Sequence, residues 1–251
     1  NQTFELFEWI IVDDGSTDQA DVQKLEKLAE SDCRIKLFHT ANGGQSKAKN
    51  YGMEQSKTDI IIFLDADDLI EDFYVEYLYL ALEKHPDAGW SYTDLVGFEG
   101  EEYVWCKPFS AGRMTFNNFL VNAAAFRKKL LESVGGFSEI TKHYDEDWAL
   151  YLKLLAKNVH PVHIPVIGFW YRRSQNGMQK TVRNNTELRK KSDEYIDSLA
   201  KNVNIRLKEE IFDGELPDTA IKSQYSFKDI LVGKMCGTYS FLTVVKKIYR
   251  R

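Results

Sequence analysis

The sequence predicts an α/β fold in which helices flank a mostly parallel sheet. Short apolar runs alternate with stretches of helical periodicity through the first two thirds of the chain. Two of these apolar runs end in dense acidic and turn residues, as strands do where they border a ligand crevice. Parallel strands also need crossover connections, which the alternating helices supply. The 251 residues suffice for one such domain and an appendage.

The predicted elements follow in order along the chain. The runs predicted as strands are Trp9–Val12, Arg34–His39, Ile60–Leu64 and Gly89–Val96. The runs predicted as helices are a stretch capped by Ser16, Thr17 or Asp18, then Gln45–Gln55, Phe73–Leu82 and Glu146–Ala156. The fully apolar run Ile60–Leu64 is typical of a central parallel strand that is covered on both faces.

Composition excludes several classes of protein. A formal net charge of −5 argues against nucleic acid as the main partner, because duplex binding usually needs a basic excess. The three cysteines are few and widely separated, which favours a reducing compartment over a disulfide framework or zinc cluster. No apolar run approaches the roughly 20 residues that cross a bilayer. The first residues lack the pattern of an export signal, so we expect a cytoplasmic protein.

The most informative chemical pattern follows the run Ile60–Leu64. Asp65 and Asp67 stand two residues apart directly after this apolar strand, and Asp68 follows at once. Clustered carboxylates at a strand end are unfavourable unless they meet water, a cation or hydrogen-bond donors. Mg²⁺ and Mn²⁺ prefer carboxylate oxygens combined with phosphate oxygens from a substrate. Taken alone, the spacing fits a metal site and a solvated acidic turn equally well.

Two further polar loops follow predicted strands. Asp13 and Asp14 begin one of them, either as an Asx turn and helix cap or, for Asp14, as an acceptor for a nucleotide base or ribose. The loop Asn42–Ser46 contains two glycines, which let backbone approach a ligand closely. Lys47 and Lys49 come next, as solvated side chains or as phosphate partners.

A further acidic cluster opens the predicted helix Glu146–Ala156. Acidic residues suit the positive end of a helix dipole, which is a sufficient structural reason for Asp145, Glu146 and Asp147 individually. Arg172 lies farther along, after an apolar segment, as a diphosphate partner or an ordinary surface arginine. Aromatic residues that could stack on a sugar are Trp105, Phe109 and Phe116, with core packing expected for at least one of them.

In this order the motifs resemble those of the family 2 glycosyltransferases of GT-A fold. The matching segments are Gln2-Thr3-Phe4, Ile11 to Asp18, Asn42-Gly43-Gly44, Lys49 to Gly52, Phe63 to Asp68, Gly135-Gly136-Phe137, Glu146-Asp147-Trp148 and Tyr171-Arg172. An ordered set of this kind is far more specific than any single motif. The resemblance implies a Rossmann-like GT-A catalytic domain, which we assign to residues 1–178. From Asn184 onward the chain is rich in Lys, Glu and Asp at helical spacing, which predicts a mainly helical C-terminal extension over residues 179–251.

The resemblance also implies roles for individual residues. Asp14 would bind the nucleotide base, Asp65 would bind the ribose or the donor phosphates, and Asp67 would hold Mn²⁺ or Mg²⁺. Asp147 would be the base that activates the acceptor. The other implied contacts to the nucleotide sugar are made by Lys49 and Arg172. At Lys49 the family usually has Arg, and Lys cannot make the same bidentate contact.

The implied activity is inverting transfer of a sugar from a nucleotide diphosphate sugar, expected to be a UDP-sugar, to an acceptor hydroxyl. Cell-surface polysaccharide or glycoconjugate synthesis is the expected setting, with a carbohydrate or lipid-linked acceptor. The alternatives are a sugar nucleotidyltransferase and a catalytically silent nucleotide-binding or assembly module. The start without Met suggests a fragment, and the resemblance implies that the family's first strand and first helix precede Gln2.

The C-terminal segment has a composition of its own. Between Lys222 and Arg251 there are seven basic residues and one acidic residue, interleaved with apolar ones. This composition fits a helix that packs on the catalytic domain, and it also fits a helix that lies on an anionic membrane surface near a lipid-linked acceptor. The second arrangement would make the protein peripheral at the inner face of the membrane.

Overall fold

A computed structural model describes residues 2–106, 109–141, 145–173 and 186–218. Its strands are β1 (Trp9–Asp13), β2 (Ile35–His39), β3 (Ile60–Ile62), β4 (Leu69–Ile70), β5 (Trp90–Glu99), β6 (Tyr103–Trp105), β7 (Ala125–Arg127), β8 (Pro161–Arg173) and β9 (Glu210–Ile211). Its helices are α1 (Gln19–Ser31), α2 (Gln45–Gln55), α3 (Tyr74–Lys84), α4 (Ala111–Met114), α5 (Lys128–Ser133), α6 (Glu146–Ala156) and α7 (Thr186–Ala200).

The strands are arranged in two groups. Within the described residues, β1 and β2 pair in parallel, and seven strands form one sheet along the path β3-β7-β5-β8-β4, with β6 beside β5 and β9 beside β8. The long strands β5 and β8 are parallel, whereas β7 is antiparallel to both β3 and β5. The predicted α/β class with flanking helices is confirmed. The sheet is mixed, which is a difference from the mostly parallel sheet expected from the sequence.

Strand β3 also differs from the expected central parallel strand. Among the described strands it pairs on one side, with β7, and Ile61 lies opposite Phe126 in an antiparallel register. Ile61 is nevertheless buried, together with Phe63, in the core that includes α6. A fully apolar run indicates that side chains are covered, but it carries no information about the direction of the neighbouring strand.

Helices cover both faces of the seven-stranded sheet. On one face, Leu150 of α6 is buried in the same apolar cluster as Trp90 of β5. On the other face, Leu78 of α3 is buried with Val162 of β8. The hydroxyl of Tyr74 on α3 is fully buried and donates to the Ala123 carbonyl at 2.8 Å, so its polar atom is satisfied inside the core. This two-sided packing fixes the sheet that positions the site.

Local sequence explains where the helices next to the site begin. The Asp18 side chain accepts a hydrogen bond from the Ala20 amide at 2.8 Å, so Asp18 is the cap among the three predicted candidates. Helix α2 begins after Gly44, which has φ of 89°, a conformation that favours glycine. Helices α2 and α6 have the bounds predicted from the sequence.

The part of the chain after residue 186 packs on the same domain. Strand β9 pairs in parallel with β8, and Ile196 of α7 is buried in the α6 core. The boundary at residue 178 stays a prediction. The segment Lys222–Arg251, with its predicted surface helix, lies outside the described residues. None of the helices in the described ranges is long and apolar enough to cross a bilayer.

Candidate active site

The four aspartates that the resemblance singles out border one cleft of about 2650 Å³. Asp14, Asp65, Asp67 and Asp147 all line it. They reach it from the ends of β1 and β3 and from the first turn of α6. The same cleft continues between β1 and β3, where isoleucines of both strands line it. The predicted convergence of the strand-end carboxylates is confirmed, and the cleft has an acidic part and an apolar part.

Asp13 has a structural role at the end of β1. Its Oδ1 accepts the Ser16 amide at 2.9 Å, and its Oδ2 contacts His39 Nδ1 of β2 at 2.8 Å. The hydrogen bonds from Ser16, offset by burial and assisted by His39, lower the pKa of this carboxyl below its usual range. Asp13 thereby ties β2 to the loop after β1 and leaves the neighbouring Asp14 to face the cleft.

Asp14 organises the glycine loop before α2. Its two carboxylate oxygens accept the amides of Gly43 and Gly44, each at 2.8 Å. Gly15, at φ of 80°, allows this approach, since a Cβ there would lie 2.7 Å from the Asn42 amide nitrogen. The sequence predicts that Asp14 binds a base, and the structure shows it holding the loop that lines the cleft. Oδ1 also accepts the Thr40 hydroxyl at 3.5 Å, whereas Oδ2 keeps a second lone pair for a ligand.

Asp65 stands at the centre of the acidic part. Its Oδ1 accepts a hydrogen bond from Gln45 Nε2 at 3.0 Å and pairs with Lys49 Nζ at 3.1 Å. Asn122 Nδ2 lies 3.4 Å from both carboxylate oxygens. The side chains of α2 and of the loop before β7 therefore hold Asp65 in one orientation.

Asp67 and Asp68 belong to the same turn but differ in exposure. Asp67 is exposed, and no hydrogen bond or ion pair involves its carboxylate within the described part of the chain. Asp68 is 8% exposed; its Oδ1 accepts the Arg172 amide at 2.8 Å, and its Oδ2 is buried without a hydrogen-bond partner among the described residues. Burial, followed by the charges of Asp65 and Asp67, raises the pKa of Asp68 to about 7.

Arg172 fastens this acidic turn to the end of β8. Its Nε donates to the backbone carbonyl of Asp67 at 2.6 Å, and its guanidinium pairs with Glu99 of β5. The guanidinium also lies over the Phe98 ring, 4.6 Å from the centroid. The predicted diphosphate partner thus lies beside the acidic turn and lines the cleft.

Lys49 links the strand-end carboxylates to α6. Its side chain is 9% exposed, and Nζ lies 3.1 Å from Asp65 and 3.9 Å from Glu146. These contacts are ion pairs rather than well-aligned hydrogen bonds. Nζ also lies 5.3 Å from the centroid of the Phe137 ring. A single buried cation therefore lies between the turn that contains Asp67 and the first turn of α6.

Asp147 occupies the first turn of α6 on the other side of Lys49. Its Oδ1 accepts Asn118 Nδ2 at 3.1 Å and the Trp148 amide at 2.7 Å. Burial, followed by the neighbouring charge of Glu146, raises the pKa of Asp147 to about 7, although Lys49 and the Trp148 amide oppose the shift. This pKa is higher than that of an ordinary aspartate, and it suits proton transfer near neutral pH.

The loop between β6 and β7 contributes polar groups that the sequence did not reveal. Asn118 and Asn122 contact Asp147 and Asp65, respectively. Asn122 is buried, at 5% exposure, and its position within an apolar stretch was the available signal. Of the predicted stacking residues, Phe109 is core, whereas Phe116 is 74% exposed.

The sequence is similar to glycosyltransferases over its first half. The family model described as "Glycosyl transferase family 2" matches residues 1–137. An uncharacterized glycosyltransferase of Haemophilus influenzae is 36% identical over 102 residues, which are 39% of this chain and 40% of the relative. One of Rickettsia bellii is 46% identical over 119 residues, 47% of this chain and 17% of the relative. The chain spans less than half the length of these two curated relatives.

Solved structures share the fold at low sequence identity. Residues 1–349 of S. aureus TarS, in complex with UDP, superpose with a TM-score of 0.65 at 21% identity, covering 82% of this chain and 60% of that one. The Pyrobaculum calidifontis mannosyltransferase PcManGT, in complex with GDP-Man and Mn²⁺, gives a TM-score of 0.52 at 16% identity, covering 80% of this chain and 66% of that one. Both likenesses support the GT-A arrangement of the sheet and helices.

Proposed function

The chain belongs to glycosyl transferase family 2, and we propose that it supports inverting transfer of a sugar from a UDP-sugar to an acceptor hydroxyl. The observation that carries the proposal is the position of Lys49. Its ion pairs with Asp65 and Glu146 join a strand-end acidic turn and a helix that presents Asp147 in one cleft. A donor diphosphate and an acceptor hydroxyl can meet between two such groups.

In the proposed reaction, every bond formed is matched by a bond broken, and Asp147 receives the proton. The acceptor oxygen forms a bond to the anomeric carbon of the donor, the bond from that carbon to the diphosphate oxygen breaks, and the hydroxyl proton passes to the Asp147 carboxylate. Attack from the side opposite the leaving group inverts the configuration. Asp14, Lys49, Asp65 and Arg172 are the proposed contacts to the nucleotide sugar. The products are the glycosylated acceptor and a nucleoside diphosphate.

The residues of the acidic turn fit a divalent cation bound together with the donor. The exposed Asp67 carboxylate offers hard oxygen ligands to the cleft. In the described ranges, no group of three or more His, Cys, Asp or Glu side chains is arranged to hold a metal by itself. That observation agrees with a cation that takes most of its remaining ligands from diphosphate and water, as Mg²⁺ commonly does. When bound, Mn²⁺ or Mg²⁺ would neutralise charge on the leaving diphosphate.

A panel of nucleotide sugars tests the proposed donor class. We expect a UDP-sugar to raise the thermal unfolding temperature by several degrees at about 100 times its Kd, and by more with Mn²⁺ than without. The panel contains UDP-glucose, UDP-galactose, UDP-GlcNAc and GDP-mannose, and UMP is the control that lacks a diphosphate. A response to GDP-mannose instead would change the proposed base. No response to any member with Mn²⁺ would argue against the proposed function.

The raised pKa of Asp147 predicts how turnover depends on pH. The base works only when deprotonated, so turnover at saturating donor should fall about tenfold for each pH unit below about 7 and level off above it. Lys49→Met removes a positive charge that favours the ionised carboxylate, and it should move the midpoint to higher pH. Lys47→Met is the matched control, since Lys47 is an exposed side chain that pairs with Glu139. A midpoint that does not respond to Lys49→Met would contradict the assignment.

A further inference from the structure

Helix α6 begins at a residue with an unusual backbone conformation. Asp145, which precedes its first turn, has φ of 57° and ψ of 21°, in the left-handed region that few residues other than glycine adopt, with aspartate and asparagine the commonest of these. Its backbone carbonyl accepts the Ala149 amide at 2.9 Å, but its side chain does not cap the amides of α6. Such a conformation persists only where surrounding contacts hold it.

The contact that holds the Asp145 side chain comes from α7. Ser192 Oγ donates a hydrogen bond to Asp145 Oδ2 at 3.1 Å. Ser192 is 1% exposed and, with Ile196, is one of the two buried residues of α7. Most of the other polar residues of this helix are exposed, and three of its ion pairs join residues four apart on its surface. The buried hydroxyl therefore has a specific partner, whereas the rest of the polar face is solvated.

Ile196 shows that α7 is seated against α6. It is 3% exposed and belongs to the same apolar cluster as Leu150 and Leu154 of α6. Tyr195 and Leu199 of α7 pack on this cluster at its edge. Helix α7 therefore meets α6 through an apolar contact along its length and through one hydrogen bond at the N-terminus of α6.

We infer that Ser192 is a positioning residue for transfer: by fixing the left-handed turn at Asp145, it sets the start of α6 and the direction of the Asp147 carboxylate. Asp145 is followed directly by Glu146, which pairs with Lys49, and then by Asp147, which contacts Asn118. Helix α7 lies beyond residues 1–137, which the family model matches. The inference rests on the proposed role of Asp147, and it makes α7 part of the apparatus that orients the base.

Hydrogen exchange tests the positioning without requiring turnover. In the full-length protein, Ser192→Ala should speed amide exchange in residues 145–150 by roughly 10-fold or more, because the turn loses the contact that holds it. The Asp145→Gly variant also lacks the hydrogen bond to Ser192, but its glycine adopts positive φ freely. Comparing the two variants separates the effect of losing the hydrogen bond from the effect of the backbone conformation at residue 145. Ser198→Ala is the matched control on α7, since Ser198 is exposed and bonds to Tyr195 of its own helix. Unchanged exchange in Ser192→Ala would overturn the inference.

Kinetics tests whether the positioning matters for transfer. With the donor that stabilises the protein in the panel, and water as the acceptor, Ser192→Ala should lower kcat for nucleoside diphosphate release by roughly 10-fold and leave the donor KM unchanged. The double variant Ser192→Ala, Asp145→Gly should lose no more than the worse single variant, because both act through one contact. Additive losses, or a raised KM with unchanged kcat, would contradict a positioning role.

The same measurements separate this inference from the proposed function. If Asp147→Asn abolishes turnover while Ser192→Ala changes neither kcat nor exchange, the positioning role alone is wrong. If Asp147→Asn keeps parental turnover while Ser192→Ala loosens residues 145–150, the base assignment is wrong, and only the part of the inference that concerns the turn stands.

Discussion

Asp147→Asn is expected to lower sugar transfer roughly 10²- to 10⁴-fold and to leave donor affinity nearly unchanged. Asparagine keeps the size of the side chain and an oxygen that can accept from Asn118, so the first turn of α6 should be preserved. It removes the charge that receives the acceptor proton. Because burial raises the pKa of Asp147 towards neutrality, the parental carboxylate is a stronger base than an ordinary aspartate. Its loss should therefore appear in the chemical step.

The measurement needs both turnover and donor binding. Turnover is followed as nucleoside diphosphate release with the donor selected in the panel, and donor affinity is followed by calorimetry with Mn²⁺. Asp193→Asn is the matched control, because Asp193 is an exposed carboxylate of α7 that pairs with Arg189. A variant with near-parental turnover would exclude Asp147 as the base. A variant that loses donor binding would place Asp147 in the nucleotide site instead.

Local sequence signals predicted the elements that border the cleft. Helix α2 was predicted from Gln45 to Gln55 because glycines precede it and a polar, helix-compatible stretch follows. Helix α6 was predicted from Glu146 because acidic residues open it and apolar residues recur at helical spacing. The short strand β7 was missed, since its three residues follow two alanines and show neither period clearly. Strand direction was also missed, because apolar patterning records burial and not pairing partners.

The sequence predicted those residues of the site that belong to local motifs, but not the contacts between distant segments. Resemblance singled out Asp14, Asp65, Asp67 and Asp147, and the fold brings them to one cleft. It did not reveal that Lys49 pairs with Glu146, because 97 residues separate them in the chain and no local period joins them. The same reason hid Asn118, whose partner Asp147 lies in the first turn of α6, and Ser192, whose partner Asp145 directly precedes that helix. Contacts of this kind depend on how helices dock on the sheet, which is a tertiary property.

Asp67→Ala is expected to abolish the Mn²⁺-dependent part of donor binding without unfolding the protein. The Asp67 carboxylate is exposed, and the turn is held instead by its backbone carbonyl, which accepts Arg172 Nε and is retained in alanine. Removing a ligand should weaken metal-assisted binding by at least roughly 10- to 100-fold, the range found for residues that merely support metal ligands. Donor affinity measured without metal should change little, because the other proposed contacts stay in place.

Calorimetric titration with the donor that the panel selects, carried out with and without Mn²⁺, separates metal-assisted donor binding from metal-independent donor binding. Asp87→Ala is the control, because Asp87 is an exposed aspartate after α3 that does not line the cleft. Thermal unfolding of the unliganded variants should be close to parental, since an exposed carboxylate without a partner contributes little to stability. If Asp67→Ala binds donor in Mn²⁺ as tightly as the parent does, Asp67 is not the ligand. The buried Asp68, whose Oδ2 has no hydrogen-bond partner among the described residues, would then be the next carboxylate of the same turn to test.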